Sequence, residues 1–151
     1  AAGEDVLIAV ASGFQNRGYT VALAADAKNE ATRKLWTQNK YSPDCPTPVV
    51  YEGMVFMMRD DGNASCLELK TGEPLWQERL FSDNVKVSPV AGDEKVYFLS
   101  GQGNCTVVKA SRKFEALATN ELHQATLSTP GISHGALFIR TEGFLYSFAK
   151  Q

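Results

Sequence analysis

Three prolines set the frame of this chain. Pro48, Pro89 and Pro130 each follow a Thr or Ser and stand 41 residues apart. Val55-Phe56, Val96-Tyr97 and Leu137-Phe138 recur at the same interval, and the turn glycines Gly62, Gly103 and Gly143 keep nearly the same step. A period of about 40–45 residues suits either a helical array or a four-stranded unit, and apolar patterning separates the two. No 3.6-residue apolar stripe runs through these repeats. They consist of short apolar runs divided by Asp, Asn and Gly, which is the chemistry of strands and tight turns.

Within one period, Thr47 to Tyr51 reads as a first strand opened by a proline, where a missing N–H is tolerated. Glu52-Gly53 turns the chain into Met54 to Arg59, and Asp60-Asp61-Gly62-Asn63 turns it again into Ala64 to Leu69. Lys70-Thr71-Gly72-Glu73 leads to an outer strand, Pro74 to Leu80. Four antiparallel strands per period make one blade. The expected fold is therefore all-β, a β-propeller of about four four-stranded antiparallel blades within residues 1–151. The blade segments are placed at about 5–38, 47–80, 87–119 and 129–148.

Both ends are expected to leave a blade incomplete. Asp5 to Ser12, Thr20 to Ala24 and Arg33 to Gln38 read as strands two to four of a blade lacking its first strand. The last blade, through Phe144 to Phe148, lacks its fourth. Since open sheet edges are a liability, the expected whole is a seven- or eight-bladed ring of which this chain is a C-terminal piece. The missing half is then cleaved, disordered, on a separate chain or supplied by a second copy. A small closed four-bladed ring is the remaining geometry.

Composition narrows function without naming it. At 44% apolar and 21% charged residues the chain folds rather than staying disordered. A net charge of −2 leaves no basic footprint for nucleic acid or an anionic membrane. The apolar run Val6 to Ala11 is too short to span a bilayer. Cys45, Cys66 and Cys105 are odd in number and lack metal-ligand spacing, and Cys66 and Cys105 read as buried packing residues. His123 and His134 have no Ser, Cys or Asp at a catalytic spacing. Ser100-Gly101-Gln102-Gly103 is a hairpin turn rather than a phosphate loop, because no helix follows it.

The segment Cys66-Leu67-Glu68-Leu69-Lys70-Thr71-Gly72-Glu73-Pro74-Leu75-Trp76 resembles the tryptophan-docking motif of pyrroloquinoline-quinone-type repeats, Ala-x-Asp-x-x-Thr-Gly-x-x-x-Trp. Cys66 and Glu68 stand where the motif has Ala and Asp. The resemblance implies that an indole lies against the Thr71-Gly72 peptide of a neighbouring blade. Trp36 and Trp76 are the docking indoles it assigns, although Asp26 to Thr32 replaces the Thr-Gly turn of the first blade. In the third blade Ser111-Arg112-Lys113-Phe114 stands there, and the docking contact is lost or made by Phe114.

Pro48-Val49-Val50-Tyr51-Glu52-Gly53 and Arg140-Thr141-Glu142-Gly143-Phe144-Leu145-Tyr146 resemble the C-terminal blades of exported bacterial quinoprotein-like propellers, which also resemble the scaffold lipoprotein of the outer-membrane β-barrel assembly machinery. This implies a periplasmic or secreted, non-catalytic scaffold that binds a protein partner or its missing half through blade edges, with homo-oligomers included. The alternative is a frame for a quinone-dependent oxidoreductase. That chemistry needs an aspartate base, calcium ligands and usually adjacent cysteines, and nothing in these residues calls for a cofactor or metal. The candidate binding face is the set of turns joining strands two and three, with Arg59, Asp60, Asp61, Gln102, Arg140 and Glu142. The linkers carrying Tyr41, Asp44, Asp83 and His123 are expected beside it.

Overall fold

A computed structural model describes residues 1–11, 18–29 and 33–149. Ser12 and Glu30 to Thr32, which the sequence reading placed at a strand end and in a turn, lie outside the described residues. The described residues form four antiparallel sheets in chain order. The first holds β1 (Ala2–Gly3), β2 (Val6–Ala11), β3 (Tyr19–Ala24) and β4 (Lys34–Gln38). The second holds β5 (Val49–Tyr51), β6 (Met54–Met58), β7 (Asn63–Glu68) and β8 (Pro74–Arg79). The third holds β9 (Val90–Gly92), β10 (Lys95–Leu99), β11 (Asn104–Lys109) and β12 (Ala116–Glu121). The fourth has three strands, β13 (Gly131–Ser133), β14 (Ala136–Arg140) and β15 (Leu145–Ala149).

The first blade has the inner strand that the sequence reading left out. Ala2 pairs with Leu7 and Gly3 with Val6. The strand was missed because Glu4 and Asp5 form the turn, both with positive φ (49° and 60°), without any glycine to announce it. The same two-residue left-handed turn recurs at Glu52-Gly53, Asp93-Glu94 and His134-Gly135. It therefore fixes register in every blade: Val6, Met54, Lys95 and Ala136 each begin a second strand directly after it. Other boundaries move by up to three residues, β5 beginning at Val49 rather than Thr47 and β13 at Gly131 rather than Thr129. β9 begins at Val90 because Val85 and Val87 are buried in the blade interfaces, and β12 begins at Ala116 because Phe114 turns back onto the second blade.

The inner strands β1, β5, β9 and β13 contact each other in sequence, which places them along one axis. Between the sheets, apolar side chains meet face to face. Val6, Ile8, Ala22 and Trp36 of the first blade pack on Val55, Met57, Leu67 and Leu69 of the second. Phe56, Ala64, Cys66 and Trp76 on the other face of the second meet Val96, Phe98 and Val108 of the third. All five residues of β6 are buried, since a strand covered on both faces loses the usual alternation of apolar and polar residues.

The third interface is thinner. Leu99, Cys105 and Val107 meet Ile139, with Tyr97 and Leu137 partly buried around them. Ala118, opposite Val107, takes the place that Trp76 takes opposite Cys66. The outer strand β12 is exposed along its whole length. Phe114 does not supply the missing docking contact toward the fourth blade: its ring stands edge-on to Trp76, 5.3 Å away.

Candidate binding face

The indoles come first, because they hold the blades that carry the face. Trp36 Nε1 donates to the Leu69 carbonyl at 2.8 Å, and a β-carbon on Gly72 would lie 2.6 Å from Cδ2 of the Trp36 ring. Gly72 also has φ of 72°, so the turn and the close approach both demand glycine. Thr71 Oγ1 accepts the Glu73 N–H at 3.3 Å inside the same turn. Trp76 Nε1 donates to the Ser111 carbonyl at 3.1 Å in the next blade. An ion pair from Arg112 to Glu68 joins the same two blades.

At the opposite end of the strands, the Asp60–Asn63 turn is tied to the linkers on both sides of its blade. Asp60 Oδ1 accepts the N–H groups of Asp44 (2.9 Å) and Cys45 (3.1 Å), and Oδ2 takes Lys86 Nζ at 2.7 Å. The Asp60 carbonyl accepts the Val85 N–H at 2.9 Å. Burial pushes the Asp60 carboxyl up, but the Lys86 ammonium and the two backbone donors outweigh it and hold the group below its ordinary value. Gly62 is pinned as well, since a side chain there would collide with the Phe81 carbonyl.

Beside this knot lies an open groove of about 930 Å³. Arg59, Asp60 and Asp61 line it together with Lys40, Arg79 and Asp83. Arg59 donates to the Lys40 carbonyl and pairs with Asp61 at 3.1 Å. Asp83 Oδ2 is buried and has no hydrogen-bond partner among the described residues. The groove is thus a charged cleft, walled in part by an acidic residue whose buried oxygen is unmatched among the described residues. Lys40 and Arg79 were missed in the sequence because one sits in a linker and the other ends an outer strand.

The remaining expected residues are dispersed. Gln102, Arg140 and Glu142 sit on the equivalent turns of the third and fourth blades and do not line the groove. Those turns are tied down in the same way: Thr126 N–H donates to the Gly101 carbonyl, Thr126 Oγ1 to the Arg140 carbonyl at 2.6 Å, and Glu142 N–H to the Ala125 carbonyl. Of the linker residues, Asp44 and Asp83 line the groove and His123 is exposed. Tyr41 is only 6% exposed, because its ring belongs to the core between the first two blades rather than to the open face. Among the described residues no three His, Cys, Asp or Glu side chains are grouped so as to hold a metal ion.

Radially stacked antiparallel blades, indoles lodged on neighbouring turns and a loop-lined charged cleft define a propeller of the pyrroloquinoline-quinone repeat type. Residues 33–150 match the family model described as outer membrane protein assembly factor BamB, and the chain belongs to that family. The outer membrane protein assembly factor BamB of Yersinia pestis is 25% identical over 101 residues, covering 66% of this chain and 25% of its own. The chain thus spans about a quarter of the length of that curated relative. The crystal structure of BamB from Moraxella catarrhalis superposes on 95% of the chain with a TM-score of 0.74 and 17% identity, using 42% of its own residues. The computationally designed Ika8 protein superposes on 99% with a TM-score of 0.79 and 11% identity, using 44% of its own.

Proposed function

We propose that this chain is part of a non-catalytic propeller scaffold that holds a protein partner through the groove beside Asp60, in a periplasmic assembly role. The observation that carries this reading is the pairing of a fixed frame with an unmatched acceptor. Asp60 is locked by three donors, whereas Asp83 Oδ2, buried in the same groove wall, has no hydrogen-bond partner among the described residues. A buried carboxylate oxygen without a donor is costly, and a lysine or arginine from a partner loop entering the groove would supply one once the Asp83 side chain turns outward. The family's description as an assembly factor supports a role in recruiting proteins. Its outer-membrane setting supports the periplasmic location, and the part of a larger propeller that these blades represent is read from the relatives' greater length.

Site-specific photo-crosslinking in the native host tests it. A photoreactive residue at Asp61 or Arg79 is expected to capture a discrete protein, the adduct disappearing when Asp83→Arg is added. A probe at Lys70, on the turn at the other end of the strands, is expected to capture nothing. Equal adducts from Lys70, or groove adducts indifferent to Asp83→Arg, would overturn the reading. So would saturable quinone absorbance on titration with pyrroloquinoline quinone and calcium.

A further inference from the structure

Beside the groove, three reactive side chains from three segments meet. Cys45, in the linker between the first two blades, and Lys86, in the linker between the second and third, stand 41 residues apart and so hold the same place in successive repeats. They approach each other over the Asp60 turn: Lys86 Nζ lies 3.5 Å from Cys45 Sγ and 2.7 Å from Asp60 Oδ2. Cys45 and Lys86 are both exposed, so a dissolved oxidant reaches them, whereas Cys66 and Cys105 are buried.

The repeat itself does not call for this trio. Leu127 occupies the next position equivalent to Cys45 and Lys86, and Gly101 and Glu142 occupy those equivalent to Asp60. Nor does Lys86 need the thiol, since Asp60 already takes its ammonium and sulfur is a weak acceptor. Both partners are held in place through their backbones. The Cys45 N–H donates to Asp60 Oδ1 at 3.1 Å, and Lys86 stands between the buried Val85 and Val87, with the Val85 N–H on the Asp60 carbonyl. The gap from sulfur to nitrogen is too long for a direct bond and short enough for one bridging atom, and the flexible lysine stem supplies the remaining travel.

We propose that Cys45 and Lys86 form a reversible oxidative cross-link in which a single oxygen atom joins sulfur to nitrogen. Dioxygen is the oxidant and supplies the bridging atom. An S–H and an N–H bond give way to S–O and O–N bonds, and the second oxygen atom leaves as water with those two hydrogens. The extra ammonium proton goes to solvent. Sulfur and nitrogen together give up four electrons, which reduce both oxygen atoms. A nitrogen bound to oxygen is a weak base, so the positive charge is lost and Asp60 Oδ2 is left without its cation at the groove wall. Oxidation thus fastens the two linkers across the second blade and adds a free carboxylate oxygen to the groove. The cross-link does not depend on the partner reading of the groove, so either can fail without the other.

Mass spectrometry of the purified chain, reduced and then held in air-saturated buffer, tests this. The intact mass is expected to show one oxygen gained and two hydrogens lost, a rise of about 14 Da. After digestion the peptides carrying Cys45 and Lys86 should be found joined, and dithiothreitol should restore the starting mass. The urea midpoint should rise on oxidation and return on reduction, because the link closes a loop in the unfolded chain. Neither change is expected under argon, in Cys45→Ser, or in Lys86→Arg, which keeps a cation beside Asp60 but offers no amine. Both substituted side chains are exposed, so the variants keep the fold. Oxygen gained on Cys45 without a link, a disulfide between copies, the same product from Lys86→Arg, or an unchanged mass in air would each overturn the proposal.

Discussion

The indole of Trp76 reaches across the blade interface to the Ser111 carbonyl, 3.1 Å from Nε1, while its face takes the edge of Phe114 at a centroid distance of 5.3 Å. The receiving turn, Ser111 to Phe114, has no Thr-Gly pair, so the docking geometry survives the loss of its motif. Phe114 provides the apolar wall that the close glycine approach provides for Trp36. Removing the indole should open a cavity at the junction of the second and third blades. Trp76→Ala is expected to cost about 3–5 kcal/mol. Trp76→Phe keeps the ring but orphans a carbonyl and should cost about 1–3 kcal/mol. Urea denaturation of the two variants checks the order, and equal effects would contradict the hydrogen bond.

Asp60 makes stability depend on pH in a defined sense. Its carboxyl titrates lower in the folded state than in the unfolded chain, so its contribution is present above the ordinary carboxylate range of about pH 4. That contribution is lost as the pH falls through the folded value. Urea midpoints measured from pH 7 down to pH 3 should therefore fall more steeply for the wild type than for Asp60→Asn. Parallel curves would show that the Lys86 pair and the two backbone donors do not select the charged form.

The hairpin turn at Asp93-Glu94 has φ values of 52° and 57°, and it alone among the second, third and fourth blades has no glycine at its second position. The Glu94 contacts to Tyr51 and Ala110 run through its backbone and survive substitution. Glu94→Gly is expected to stabilise the fold by about 0.5–1 kcal/mol, the left-handed strain outweighing the added freedom of the unfolded chain. A thermal unfolding scan that shows a lower midpoint would contradict this.

The thiols should separate cleanly by reactivity. Burial pushes Cys66 up to about 12 and Cys105 up to about 11, whereas Cys45 is exposed beside the Lys86 ammonium at 3.5 Å. A disulfide reagent at pH 8 should titrate one thiol quickly in the native protein and all three in denaturant. Fast reaction of a second native thiol would mean that the blade interfaces open.

The 41-residue step was legible because the second, third and fourth blades each place a proline just before the inner strand and a glycine at the second hairpin, and at Gly62 and Gly103 the Phe81 and Gln124 carbonyls leave no room for a side chain. β1 was not, since two residues before a glycine-free turn carry no apolar pattern. The close packing of Gly3 on Val50 belongs to the next blade and is invisible locally. Trp36 was legible through its 40-residue distance from Trp76. Of the candidate face, Arg59, Asp60 and Asp61 were found as turn residues, but their chemistry depends on Lys86, Lys40, Arg79 and Asp83, which come from linkers and a strand end. Gln102, Arg140 and Glu142 share the turn position without sharing the groove, because each blade rotates its turn away from the last. Tyr41 was misplaced because a linker residue is ordinarily solvated, whereas this ring fills the first interface.

The account rests on indoles that lodge on the backbone of the next blade, and a double-mutant cycle between Trp36 and Gly72 tests this most directly. In the wild type, Gly72→Ala should cost about 2–4 kcal/mol, from the left-handed turn and the collision with the ring together. With Trp36→Ala already in place, only the turn strain of about 1–2 kcal/mol should remain. Urea denaturation is predicted to show a coupling of at least about 1 kcal/mol between the two sites. Additive costs would mean that Trp36 does not rest on Gly72 and would contradict the stacked-blade arrangement.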